Sequence, residues 1–123
     1  MGESQRPHKN LEVWKESIQL IKMTYELCQN LPGEEKFGLI SQLKRASVSV
    51  SANIAEGAAR QTYKEFYQFL PISSVSLSEI DTLIEVLQEL DLIKTNTYNE
   101  MITQLNKTSA LLNGLKKYEY RER

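Results

Sequence analysis

The sequence predicts an all-α protein, an antiparallel up-and-down four-helix bundle, from three observations. Apolar residues recur at alternating intervals of three and four, the helical period, through four successive segments. Only five glycines and three prolines punctuate the chain. A length of 123 residues suits one core and not two, because folding at that size buries roughly two-thirds of the unfolded surface. Residues 1–123 are therefore read as a single domain, with helices at about 10–30, 34–56, 62–90 and 97–118.

The first helix carries Leu11, Trp14, Ile18, Ile21, Tyr25 and Cys28 on one stripe, with Asn10 placed to cap its start. Leu31, Pro32 and Gly33 end it. The second helix carries Phe37, Ile40, Leu43, Ser47, Val50 and Ile54, and Gly57 suits a left-handed helix end. Thr62 and Glu65 form a Thr-x-x-Glu capping box that opens the third helix. Its stripe is Phe66, Leu70, Ser73, Leu77, Ile80, Ile84 and Leu87, in phase on both sides of Pro71, where a kink is expected and a break is the alternative. Thr97 and Glu100 repeat the capping spacing before Tyr98, Met101, Leu105, Thr108, Leu112 and Leu115, and the tail after Lys116 is expected to fray.

Apolar residues make up 41% and charged residues 25% of the chain, which suits a globular fold. The net charge of −1, from 15 basic and 16 acidic side chains, leaves no global positive field to recruit nucleic acid, so such binding requires a local patch. Cys28 is the single cysteine, which excludes an internal disulfide and a thiolate cluster. The polar start of the chain and the lack of an apolar run near the roughly 20 residues of a membrane span point to a cytoplasmic protein, with neither export nor insertion.

Chemistry finds little to work with. His8 is the sole histidine and sits in the N-terminal arm, and Cys28 lies on an inner stripe with no histidine to activate it. Glu79, Asp81, Glu85, Glu89 and Asp91 read as a solvated face, since no Glu-x-x-His pair of the di-iron bundles occurs. No phosphate-binding Gly-rich motif is present. The expectation is a non-enzymatic protein without metal, cofactor or small-molecule substrate.

Surplus apolar surface points instead to association. The third helix has a second stripe, Phe69, Ile72, Val75, Leu83, Val86 and Leu90, and the fourth adds Ile102, Leu111 and Tyr118. A tightly packed bundle with wide buried faces would absorb some of it; a homo-oligomer interface would absorb all of it. The run Ala46 to Ala52 has only small side chains, which permits close helix approach. Beside it, Gln42, Asn53, Glu56 and Gly57 form a polar corner, with Arg60 or Arg45 placed to neutralise Glu56. The functional alternative is a local basic patch of Lys44, Arg45, Arg60 and Lys64 contacting nucleic-acid phosphates. An enzyme would need a pocket built on Asn53, Glu56 and Arg60 of adjacent subunits.

These residues also carry a likeness. Leu11 with Trp14, Leu31-Pro32 with Glu34, Glu35, Phe37, Gly38 and Leu39, Gln42 to Ala46, the run Ser51-Ala52-Asn53-Ile54-Ala55-Glu56-Gly57, Arg60, and Phe66 with Phe69-Leu70 together resemble the 23S ribosomal RNA intervening-sequence proteins over nearly the whole chain. The resemblance implies a bacterial four-helix bundle that assembles into homopentameric rings, without established enzymatic activity, presenting a surface to an RNA or protein partner. Related bundles serve retroelements as nucleic-acid-binding accessory factors with a basic ring, from which this acidic chain departs. It departs again after Leu70, where Val75 stands in place of the family's usual glycine.

Overall fold

The computed structural model describes residues 7–122 and, at residues 36 and 37, the backbone alone. The polar stretch Met1 to Arg6 and the expected inward place of Phe37 lie outside what is described. Four helices carry the fold: α1 (Glu12–Gln29), α2 (Ser41–Ala58), α3 (Tyr63–Glu89) and α4 (Thr95–Glu122). A 3-10 turn at Pro7–Asn10 precedes α1, and a second at Gly33–Glu35 runs into a π turn at Lys36–Ile40 before α2. Among the described residues there is no strand.

Each helix packs on the next, and α4 closes on α1. The cross-links show the antiparallel order. Ser17 of α1 meets Ser51 of α2 at 2.7 Å, and Tyr25 lies under Lys44. Arg45, Val50 and Gly57 of α2 meet Glu79, Ser73 and Phe66 of α3 in turn. Tyr67 and Ser74 of α3 meet Tyr120 and Lys116 of α4. This is the expected all-α up-and-down bundle. Its core is centred on Leu20, Leu43, Ile54, Leu70, Ile80, Ile84, Leu87, Met101 and Leu112, each contributing roughly 1.5–3 kcal/mol through burial.

The stripes expected for α3 and α4 face this core, with Phe66, Tyr98 and Leu115 half-buried at its margin. That of α1 does not. Its buried face is Val13, Ser17, Leu20, Thr24, Leu27 and Cys28, one position removed from the expected one, which it shares only at Cys28. The reason is that Ser17 and Thr24 carry their own partners inward. Their hydroxyls donate to the carbonyls of Trp14 (2.6 Å) and Leu20 (2.7 Å), so they enter the core without an unsatisfied group.

Helix ends differ from expectation in four places. Leu11, not Asn10, is the N-cap residue of α1, because the preceding 3-10 turn already bonds the Leu11 amide to the His8 carbonyl at 3.0 Å. His8 is accordingly held in that turn, edge-on to Trp14. Gly57 lies within α2 and none of the described glycines has a positive φ, so it does not supply a left-handed cap. Thr97 is inside α4, which starts two residues earlier at Thr95. The tail continues as helix to Glu122, held by Tyr118 on Tyr63 and Tyr120 on Tyr67. Thr62 does cap α3, accepting from the Glu65 amide at 3.1 Å, and α3 passes Pro71 without a break. At its far end Asp91 takes φ 57°, and the Leu92 amide returns to the Leu87 carbonyl at 2.9 Å. That is the Schellman closure, with aspartate in glycine's usual place.

Gly57 serves close approach instead. A Cβ there would lie 2.7 Å from Phe66 Cδ1 and 3.1 Å from both Phe66 O and Phe69 Cβ. Gly57→Ala is therefore expected to destabilise the fold by about 1–3 kcal/mol. Gly114→Ala, where an added Cβ meets nothing within 4 Å, should instead stabilise it by up to about 1 kcal/mol. Urea denaturation of the two variants checks both signs.

Candidate interaction surfaces

The cations expected to form one patch are spread out and mostly engaged. Lys44 and Arg60 are 16 positions apart on α2 and its end, about 24 Å along a helix axis. Lys44 Nζ sits 4.8 Å from the Tyr25 ring centroid. Arg45 pairs with Glu79 at 3.2 Å, and Arg60 pairs with Glu56 at 3.1 Å while its guanidinium covers the Phe69 ring at 4.7 Å. Lys64 is exposed on the first turn of α3. Charges already paired with carboxylates or rings offer a phosphate little net attraction.

In the polar corner the expected Arg60–Glu56 pair forms, but on the surface. Gln42 and Glu56 are exposed, and half-buried Asn53 donates to Ser49 of its own helix, at 2.9 Å to the carbonyl and 3.2 Å to Oγ. Around the small-residue run of α2 the interhelical polar links come from serines. Ser73 Oγ donates to the Val50 carbonyl at 2.8 Å, Ser76 Oγ to Ser49 Oγ at 2.9 Å, and Ser51 Oγ to Ser17 Oγ at 2.7 Å. The small-residue run of α2 thus engages α1 through Ser51 and α3 through Ser49 and the Val50 carbonyl.

The six residues expected at an oligomer interface divide. Leu83 is buried in the core, Phe69 is half-covered under Arg60, and Val86 is half-buried. Ile72, Val75 and Leu90 remain outside, at 47%, 68% and 55% exposure. They have neighbours that inward-facing assignments concealed. On the outer face of α2, Val48 is 43% exposed and Ala52 follows one turn later. On α1, the displaced stripe leaves Ile18 and Ile21 half-buried and Tyr25 exposed. The period-three-and-four spacing of Leu11 to Tyr25 held the signal for this face, which is turned by one helix position from the core. Together α1, α2 and α3 present an apolar surface whose centre is small and whose flanks are large.

The family model for the 23S rRNA-intervening sequence protein matches residues 9–114, most of the chain. The chain belongs to that family. A crystal structure of a protein of unknown function from the S23 ribosomal protein family of Bacteroides thetaiotaomicron is similar in fold. It has a TM-score of 0.78 at 24% identity, over 85% of this chain and 98% of that one. No curated protein matches the chain. Within this intervening-sequence protein, three of the features that carry the family likeness meet at one contact: Gly57 packs under Phe66 and Phe69, and Arg60 closes over Phe69. Leu31 to Leu39 form the irregular turns that lead into α2. Val75, at the position of the usual glycine, points outward, so no contact inside the chain depends on a glycine there.

Two ionisable groups have displaced titrations that bear on stability. Glu16 is held below its ordinary pKa by hydrogen bonds from Gln104 and Lys107, which tie α1 to α4. Glu119 is only 3% exposed, and its Oε1 has no hydrogen-bond partner. It lies at a cavity of about 300 Å³ with Arg60, Gln61, Thr62, Tyr63 and Phe66. Burial, and then the charge of Glu122, push its pKa up. The Cys28 thiol is likewise pushed up by burial, against a weaker opposing effect of Lys44, and is no reactive thiolate at neutral pH.

A raised carboxyl pKa makes folding costly once the group ionises. The penalty is absent below the ordinary carboxyl range and complete above the raised value. Glu119→Gln is expected to stabilise the fold by about 1 kcal/mol at neutral pH and to change little in acid. Urea unfolding at the two pH values measures the difference.

Proposed function

We propose that this chain is a non-enzymatic, self-assembling four-helix bundle whose α1–α2–α3 outer face joins copies of itself. The observation that carries the reading is the exposure of Val48, Ile72 and Val75 on adjoining helices, next to the small side chain of Ala52. A contiguous apolar surface of this kind is costly for a monomer in water and marks association sites. Small central residues let a partner helix approach closely, and large flanking ones supply the buried area. Val75 in place of the family's glycine adds a side chain to this face. The closed ring of five implied by the family likeness, and a bacterial, cytoplasmic setting, belong to the same reading. So does a remaining surface offered to a protein or RNA partner.

Sedimentation or light scattering at micromolar concentration is expected to return a multiple of 14.2 kDa, and five-fold for a ring. Ile72→Asp with Val75→Asp should reduce the mass toward that of one chain while changing stability by no more than about 0.5 kcal/mol, as exposed substitutions do. A clean monomer for the unaltered chain would end the proposal.

The second reading is nucleic-acid binding through Lys44, Arg45, Arg60 and Lys64. It is the weaker one, because three of those four side chains are occupied by partners within the chain. Titration of structured RNA against Lys44→Ala/Arg60→Ala, expected to show no change in affinity, separates it from the first.

A further inference from the structure

A second basic set, apart from the expected one, lines the groove between α3 and the last turns of α4. Tyr67, Asn113, Lys116, Lys117, Tyr120 and Arg121 line an open groove of about 500 Å³, within the roughly 300–1,000 Å³ of ordinary ligand sites. Among the described residues, three cations and no carboxylate line it. Lys116 Nζ donates to the neutral Ser74 Oγ at 3.2 Å, and Lys117 and Arg121 are exposed. Among the described residues none of the three is ion-paired, in contrast to Arg45, Arg60 and Lys107.

The two rings make the groove more than a charge cluster. Tyr67 and Tyr120 meet edge to face, centroids 5.4 Å apart at 62°, and Tyr120 is 50% exposed. Each ring is oriented by the other, so an incoming planar group meets a platform that is already ordered. We infer that this groove is a binding site for single-stranded nucleic acid, with backbone phosphates on Lys116, Lys117 and Arg121 and a base against Tyr120. A duplex hides its base faces and an acidic peptide has none, so neither uses the rings. The unpaired cations supply the attraction that the net charge of the chain does not.

The test is fluorescence anisotropy with a labelled oligouridine RNA of about ten nucleotides, a length within the span of single-strand sites. Binding is expected at low ionic strength, with a log–log salt slope of about −2 for three phosphates. Lys117→Glu with Arg121→Glu should weaken it at least about tenfold. Tyr120→Ala should weaken it about tenfold while Tyr120→Phe retains it. Lys44→Ala should leave it unchanged. Circular dichroism confirms that each variant is folded, and light scattering on the same samples reads assembly independently.

Absence of binding by the unaltered chain at low salt would overturn the assignment, as would unchanged affinity in the charge-reversed variant. Equal affinity for a duplex of the same length, together with a silent Tyr120→Ala, would overturn its single-stranded character.

Discussion

At Gly57 the backbone of α2 lies so close to α3 that a single added methyl group would fall 2.7 Å from the Phe66 ring. Everything along that helix pair follows from this approach. Ser73 reaches the Val50 carbonyl and Ser76 reaches Ser49, both bonds that larger residues on α2 would hold out of range. Farther along, the same alignment brings Arg45 to Glu79. Phe69, drawn against Gly57, becomes the floor on which Arg60 rests. A buried hydroxyl that reaches a carbonyl contributes only about 1 kcal/mol, but it favours one register, because sliding by one residue takes the buried Ser73 hydroxyl away from its acceptor.

The requirement for small side chains on one side of α2 has an effect on the others. Ala46 and Val50 face the core, Ser47 and Ser51 are buried, and Val48 and Ala52 are left outside. A helix made narrow for its neighbours within the chain is also narrow toward anything that comes from outside. Ile18, Ile21 and Tyr25 on one flank and Ile72 and Val75 on the other make a shallow trough of that outer surface. Packing inside and the shape of the surface thus share one cause.

Fold class, helix number and most of the core on α3 and α4 were legible because apolar periodicity and burial coincide there. On α1 they part. Ser17 and Thr24 are buried with their hydroxyls bonded to the backbone one turn back, and a search for apolar residues passes over them. The Thr62 cap was legible from its spacing; Thr97 has the same spacing with Glu100 yet sits within α4, since α4 had already begun. The basic residues were grouped by nearness in sequence. In space the partners of Lys44, Arg45 and Arg60 decide their fate, and those partners, Tyr25 and Glu79 among them, lie on other helices or across a turn. Lys116, Lys117, Tyr120 and Arg121 were set aside as tail because nothing local shows that Tyr67 and Ser74 hold that tail down.

Cys28, the one sulfhydryl in the chain, is walled inside the bundle with its thiol held protonated by burial. Copies brought together on the outer face cannot be stapled by a disulfide, because a thiol oxidant finds no accessible thiol while the helices stay closed. Any joining of chains is thereby reversible, set by concentration rather than by redox state. The rate at which a thiol reagent reaches Cys28 becomes a clock for how often the bundle opens.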